Sequence, residues 1–181
     1  ISNCVVNLAL DKRAVLVGAH HVLKDFGEVY FSDIYASAPV PEAIRRNKTA
    51  WGECLAGALY WRDLYDMCEE IGFSRPVTVH AKDVPIDNAE LEEEIQRHGG
   101  SLHFASVTYR FFKLPRTREA QQEEHVVATY KGSIEGFEER FQFAHDVVFP
   151  AHKPVKVEGQ LAAILQGSRY KPHFDFTAEG G

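Results

Sequence analysis

The hydrophobic pattern of residues 1–112 switches repeatedly between the period of a strand and the period of a helix. Residues 2–8 are typical of a buried strand that ends in a loop, and residues 28–35 of a second buried strand rich in aromatic and β-branched side chains. Between them, Asp11 is a favourable helix N-cap, and the apolar residues after it form one helical stripe. Such alternation predicts an α/β fold, because the helices must pack on the faces of the sheet.

The alternation continues through the middle of the chain. Residues 39–73 are predicted to be mostly helical, although Gly52 and Gly57 weaken the helical pattern around Cys54. The elements predicted after them are a half-buried strand at 77–81, a short helix at 88–98 and a long strand at 102–112. This order predicts a largely parallel sheet.

The chain changes character after residue 113. Residues 114–125 are polar and charged, which predicts a linker or an exposed loop. Residues 126–181 contain short strand-like segments, two prolines and one helical segment, which predicts a small α+β module. We therefore expect an α/β part over residues 1–113, a linker over 114–125 and an α+β C-terminal module over 126–181.

Charge and cysteine content narrow the function classes. The formal net charge of -6 argues against a nucleic-acid-binding surface or a polybasic membrane anchor. No apolar run approaches the roughly 20 residues of a membrane-spanning helix. Three cysteines are too few, and odd in number, for a secreted disulfide framework. We therefore expect free thiols in a reducing, cytoplasmic compartment, with neither nucleic acid nor membrane as a partner.

Several segments carry a more specific pattern than periodicity alone. They are SNCVVNL at residues 2–8, GEVYFSD at 27–33, WGECLAGALYW at 51–61 and SRY at 168–170. The first two resemble the second half of the sheet of a class I, Rossmann-like methyltransferase. The third resembles the signature of the arsenite methyltransferases, and the last resembles part of that family's C-terminal domain. The resemblance extends over nearly the whole chain.

The resemblance implies a function and a set of site residues. Enzymes of this family methylate trivalent arsenic, as arsenite or methylarsenite, with S-adenosylmethionine, and hold the arsenic on cysteine thiolates. Two of the family's arsenic ligands correspond to Cys4 and Cys54. The resemblance also implies that the glycine-rich cofactor loop and further cysteines lie upstream of residue 1, and that thioredoxin or glutathione serves as reductant. The chain is then expected to be the C-terminal portion of such an enzyme, with residues 1–113 as the second half of the methyltransferase domain.

The chemistry of arsenic agrees with this choice of residues. Trivalent arsenic is soft and prefers thiolates to oxygen or nitrogen ligands. Thiolates leave its lone pair free to attack an electrophilic methyl group, so the reaction needs placement in line with the donor more than a base or a metal. Cys4 follows a strand, where ligands bind in open α/β sheets. Whether Cys54 approaches it stays open at this point.

Other candidate residues have competing interpretations. Trp51 is a candidate arsenic-binding residue, with ordinary packing as the alternative, and Asn3 at the end of the first strand is a candidate cofactor contact. Cys68 falls on an apolar helical stripe, and we expect it to be a core residue. Asp33, near the end of the second strand, is expected to cap a turn rather than to touch a ligand.

Two alternative functions remain open from the sequence. One is a dithiol arsenic-binding fragment without turnover, and the other is a methyltransferase for a different small molecule. The nine histidines show no zinc-type spacing with cysteine, so no metal site is expected. We also expect the isolated chain to be only marginally stable, because its first strand would have an unpaired edge.

Overall fold

The computed structural model describes residues 1–115 and 125–178, and it confirms an α/β fold with a C-terminal α+β module. The described strands are β1 (Ser2–Asn3), β2 (Glu28–Ala36), β3 (Leu59–Tyr60), β4 (Val77–Val84), β5 (Phe104–Phe112), β6 (His125–Tyr130), β7 (Arg140–Ala144), β8 (Val147–Pro150), β9 (Pro154–Glu158) and β10 (Phe174–Ala178). The described α-helices are α1 (Lys12–Val22), α2 (Glu42–Arg45), α3 (Lys48–Gly52), α4 (Trp61–Ile71), α5 (Ala89–Gly99) and α6 (Gly159–Gly167). Short 3-10 turns occur at Val6–Leu8 and Lys171–His173.

The main sheet has the strand order β1-β2-β5-β4, with β3 paired to β2 beyond the end of β1. β1 and β3 run parallel to β2, whereas β5 runs antiparallel to both β2 and β4. The sheet is therefore mixed, and the expectation of a largely parallel sheet is wrong for its longest ladders. A buried strand has the same apolar run in either direction, so the sequence of β5 does not show its orientation.

The helices of this part pack in two apolar clusters. α1 and α4 pack against the central strands through side chains such as Leu16, Leu64 and Phe111. α2, α3 and α5 enclose the second cluster, in which Leu91 and Ile95 of α5 are buried. Not all of the predicted stripe of α1 is buried, because Val15 and Val22 are exposed.

Residues 39–73 are more interrupted than predicted. Two short helices, the turn that carries Cys54 and strand β3 precede α4. Asn47 caps α3 through a 3.0 Å hydrogen bond from the backbone N–H of Ala50. α4 ends at Gly72, whose φ of 101° turns the chain so that the N–H of Phe73 bonds back to the carbonyl of Cys68 at 2.8 Å.

The C-terminal module consists of an antiparallel sheet β10-β6-β9, the hairpin β7-β8 and helix α6. Its aromatic core includes Tyr130, Phe143 and Phe149, and extends to Phe112 of the main sheet. Most of the predicted linker, residues 116–124, lies outside the described residues, so the domain boundaries stay a prediction. None of the helices within residues 1–115 and 125–178 is long and apolar enough to cross a membrane.

Candidate functional site

Cys4 lies immediately after β1, at its carboxyl end. Its backbone N–H donates to the carbonyl of Ser32 at 2.8 Å, which extends the parallel pairing of β1 with β2 by one residue. The side chain is exposed, and its Sγ lies 3.5 Å from Oδ1 of Asn3. Asn3 is also exposed, so both side chains are available to molecules at this edge of the sheet.

Cys54 lies in the turn that follows α3. Its N–H bonds to the carbonyl of Trp51 at 3.1 Å, and the next two N–H groups both bond to the carbonyl of Ala50. Buried Leu55 and Ala56 then anchor the turn in the second apolar cluster. Cys54 itself is half-buried, so a fixed backbone presents a partly accessible thiol.

Both cysteines have a left-handed backbone conformation. Cys4 has a φ of 53° and Cys54 a φ of 61°, and they are two of the four non-glycine residues with positive φ in the part of the chain that is described. This region is unfavourable for residues with a Cβ and persists only where the surroundings impose it. Strain of this kind is concentrated at functional sites, so these two turns qualify as a candidate site.

The two cysteine turns meet three residues downstream of each thiol. Gly57 is buried against Asn7, and a Cβ at Gly57 would collide with the backbone carbonyl oxygen of Asn7. Only glycine permits this approach. The contact brings the segment after Cys4 and the segment after Cys54 together.

Asp33 holds the other side of Asn7. One carboxylate oxygen of Asp33 accepts the backbone N–H of Asn7 and the other accepts that of Ile34, each at 3.0 Å. The Nδ2 of Asn7 donates in turn to the carbonyl of Ile34 at 2.7 Å. Asp33 therefore caps the turn at Val6–Leu8, in agreement with the sequence-based expectation.

Electrostatics link the same groups. The largest effect on the Cys4 thiol is its slight burial, which raises its pKa. The negative charges of Asp33 and of a Cys54 thiolate raise this pKa further. Burial also raises the pKa of Asp33, against backbone hydrogen bonds and the charge of Lys12, which lower it. The pKa of Lys12 is lowered by its burial and by nearby Arg45. Cys4 and Cys54 are thus within electrostatic reach of each other.

Cys68 has a different environment. It is fully buried in the cluster between α4 and the sheet, and this burial raises its pKa to about 12. A thiol in this state is neutral and shielded from reagents in solution. The expectation that Cys68 is a core residue is confirmed.

Trp51 projects from α3 beside the Cys54 turn. It is 41% exposed, and its indole N–H donates to the carbonyl of Arg45 at 2.7 Å. Its predicted contact with arsenic and the predicted cofactor contact of Asn3 both stay predictions. Across residues 1–115 and 125–178, no group of three or more histidine, cysteine or acidic side chains is arranged to hold a metal ion.

Sequence reasoning missed Asn7 and Gly57. Both lie inside the quoted motifs, at residues 2–8 and 51–61, but the hydrophobic pattern of these segments does not show that the two residues meet. A glycine between two alanines, at residues 56–58, was the available signal, because such a glycine often marks the close approach of another backbone.

Comparison with known proteins assigns both parts of the chain. Residues 1–72 match a family described as methyltransferase domain, and residues 123–181 match the arsenite methyltransferase C-terminal domain. The arsenite methyltransferase of Mus musculus is 45% identical over 177 residues, which cover 98% of this chain and 45% of the mouse protein. That of Aquipseudomonas alcaligenes is 36% identical over 185 residues, which cover 99% of this chain and 51% of the bacterial protein.

A solved structure agrees with the sequence matches. The arsenic(III) S-adenosylmethionine methyltransferase from Chlamydomonas reinhardtii superposes with a TM-score of 0.86 at 36% identity, covering 97% of this chain and 57% of that one. The methyltransferase-like sheet and C-terminal module expected from the resemblance are therefore confirmed. The chain spans about half the length of the curated relatives it matches. Together these matches show that the chain belongs to the arsenite methyltransferase family.

Proposed function

We propose that this chain is the acceptor-binding portion of an enzyme that methylates trivalent arsenic, as arsenite or methylarsenite, with S-adenosylmethionine. The observation that carries the proposal is the pair of thiols, Cys4 and Cys54, on two strained turns that touch through Asn7 and Gly57. The names of the relatives supply the substrate, and the chemistry of the thiols fits it.

In the proposed site Cys4 and Cys54 exchange with the oxygen ligands of arsenic. With methylarsonous acid, CH3As(OH)2, two S–H bonds and two As–O bonds break, two S–As bonds form, and two water molecules leave. Arsenic stays trivalent and keeps its lone pair. The two turns then restrict the position of the arsenic, which is catalysis by placement.

In this proposal the methyl donor binds at the carboxyl end of β1, where ligands bind in open α/β sheets. S-adenosylmethionine, when bound, supplies an electrophilic methyl group. Support for Asn3 as a contact of the donor is that its amide is exposed next to Cys4. Cys4 and Cys54 bind the arsenic atom and leave its lone pair free. The lone pair is the nucleophile, so no side chain needs to remove a proton from it. Methyl transfer to the lone pair oxidises arsenic from the trivalent to the pentavalent state.

The proposal also includes a reductant and a cellular compartment. A second methylation requires that two electrons return arsenic to the trivalent state. A dithiol protein such as thioredoxin, or glutathione, has the chemistry for this step. Free cysteines of this kind suit the cytoplasm, where thiols stay reduced.

A second candidate is arsenic binding without turnover. It is favoured by the observation that the chain spans only 45% of the mouse relative and 51% of the Aquipseudomonas relative. A methyltransferase for another small molecule is the third candidate. It would not require a pair of thiols on contacting turns.

The experiment is a native mass-spectrometric titration of the 181-residue chain with methylarsonous acid. We expect one arsenic per chain, reduced binding in Cys4→Ser and Cys54→Ser, and unchanged binding in Cys68→Ser. Equal binding by all three variants would refute the arsenic site. Adding S-adenosylmethionine to the loaded chain then separates the first two candidates, because a dimethylated product from the chain alone excludes binding without turnover.

A further inference from the structure

Asp33 lies beneath the point at which the two cysteine turns meet. Its side chain is almost fully buried, at 1% exposure, and it belongs to β2 rather than to either turn. Its carboxylate accepts the backbone N–H groups of Asn7 and Ile34, and the backbone of Val6 also lowers its pKa. These bonds fix the main chain immediately after Cys4.

Asn7 transmits this constraint to the second turn. Its side chain is tied to β2 through Ile34, and its carbonyl oxygen is covered by Gly57. Gly57 is followed by buried Ala58, so the turn cannot move toward Asn7 without a clash or away from it without opening the core. The position of Asn7 therefore restricts the position of the Cys54 turn.

We propose that Asp33 is a positioning residue that sets the separation of Cys4 and Cys54 through Asn7 and Gly57. The inference rests on the proposed function, in which both thiols bind one arsenic atom. Once one thiol has bound arsenic, the second adds affinity according to its effective concentration near that arsenic. This concentration is high only if the two thiols are already held close together. In this proposal Asp33 keeps the two thiols close together without contacting arsenic.

The charge and shape of the carboxylate explain why this residue is an aspartate. Two acceptor oxygens face backbone N–H groups, and the positive charge of Lys12 lies nearby. An asparagine has the same shape but replaces one acceptor by an NH2 donor, which would face another donor. Asp33→Asn therefore loosens the turn with little change in packed volume.

The test compares two arsenicals that differ in the number of thiols they require. Methylarsonous acid forms two S–As bonds, whereas dimethylarsinous acid, (CH3)2AsOH, forms one S–As bond and releases one water. We would measure the dissociation constants of both for the wild-type chain, Asp33→Asn and Gly57→Ala. We expect both variants to bind methylarsonous acid roughly ten- to a hundredfold more weakly. Binding of dimethylarsinous acid should stay within about twofold of wild type, because a single thiol needs no fixed partner.

Matched controls separate positioning from general damage. Asp11→Asn makes the same chemical change at the N-cap of α1, where asparagine caps equally well. Gly52→Ala adds the same methyl group close to Cys54, where no other described element comes within 4 Å of the added carbon. Both controls should bind the two arsenicals as the wild type does.

Gly57→Ala leaves the Asp33 carboxylate itself unchanged and acts at the contact with Asn7, so it carries the test if Asp33→Asn unfolds. Unfolding itself would be recognised by alkylation of the buried Cys68 thiol. The inference is overturned if folded variants retain the wild-type preference for methylarsonous acid. A wild-type chain without that preference would refute the proposed arsenic site itself, and the inference with it.

Discussion

The three cysteines have the same side chain and three different environments. Cys4 is exposed, Cys54 is half-buried, and Cys68 is enclosed in the core. The first two lie on left-handed turns, and the third lies within α4. Because a thiol reacts through its thiolate and only where reagents reach it, the backbone around each cysteine decides its reactivity.

The first prediction concerns Cys68 at alkaline pH. Its pKa is about 12 in the folded chain and close to the ordinary 9.0 when unfolded. Above pH 9 the unfolded chain loses this proton while the folded chain keeps it, so the free energy of unfolding falls. Between about pH 8 and pH 10 the wild type should lose about 1.4 kcal/mol more than Cys68→Ala.

Urea denaturation of both proteins at each pH measures this difference. Tyr35 and Tyr109, whose pKa values are also raised by burial, are common to both proteins and cancel in the comparison. Parallel losses in the two proteins would show that Cys68 ionises normally in the folded chain.

At the same scale, the sequence predicted the environment of some residues and could not predict that of others. The core position of Cys68 followed from its place on an apolar stripe. Cys4 and Cys54 were predicted through the family resemblance, and their positive φ was not. The contact of Gly57 with Asn7 joins two segments distant in sequence, and periodicity has no information on such a contact.

The ends of helices illustrate what single elements contribute. α4 stops at Gly72 because the backbone there turns left-handed, with a φ of 101°. Gly18 lies in the interior of α1, exposed, and no other described element comes within 4 Å of the point that a Cβ would occupy there. The same substitution should therefore have opposite effects at the two glycines.

The second prediction is this difference in sign. Gly72→Ala should lower the free energy of unfolding by about 1 kcal/mol, because alanine is strained in the left-handed region. Gly18→Ala should raise it by roughly 0.5–1 kcal/mol, since alanine loses less backbone freedom in a helix. Chemical denaturation of the two variants measures both values, and a shift of the same sign would contradict the assigned backbone conformations.

The elements themselves were largely predictable, and their directions were not. The helix at residues 88–98 and the strand at residues 102–112 are close to α5 and β5. The antiparallel direction of β5 was missed because strand direction depends on how the connection through α5 returns to the sheet. Residues 39–73 were predicted as mostly helical, but Asn47 begins a second short helix and Gly52 ends it.

At the scale of the whole molecule, an ionic cluster joins the main sheet to the C-terminal module. Arg110 and Glu28 form a 2.9 Å ion pair, and both side chains are at least nine-tenths buried. Arg110 also donates to the carbonyl of Phe143, and Arg169 reaches Glu28 from the surface at 2.6 Å. The cluster therefore connects strands β2 and β5 to the hairpin and to the segment after α6.

The third prediction follows from the unequal burial of the two arginines. Arg110→Met should lower the free energy of unfolding by about 3 kcal/mol, because it leaves the buried charge of Glu28 without its buried partner. Arg169→Gln should cost less than about 1 kcal/mol, since the Arg169 side chain is 67% exposed. Chemical denaturation measures both losses. Equal losses in the free energy of unfolding would show that the buried ion pair contributes no more to stability than the exposed one.

The fourth prediction concerns the outer edge of β1. In the described part of the chain, β1 pairs with β2 alone, and Leu10, Val15 and Val22 are exposed nearby. Unpaired edges and exposed apolar side chains favour association. Light scattering should show concentration-dependent association of the chain, reduced in the variant Val15→Lys/Val22→Lys. A monomer with a sharp thermal transition at all concentrations would contradict this expectation.

The left-handed turns have a consequence for the evolution of the protein. A glycine at position 4 would relieve backbone strain of about 1–2 kcal/mol, against an entropic cost of roughly 0.5–1 kcal/mol. The exposed Cys4 side chain would lose little packing in exchange. We therefore expect Cys4→Gly to melt at a slightly higher temperature than the wild type while losing its dithiol arsenical affinity. A library selected for heat resistance alone would then discard this thiol, whereas under the proposed function selection for arsenic binding would retain it.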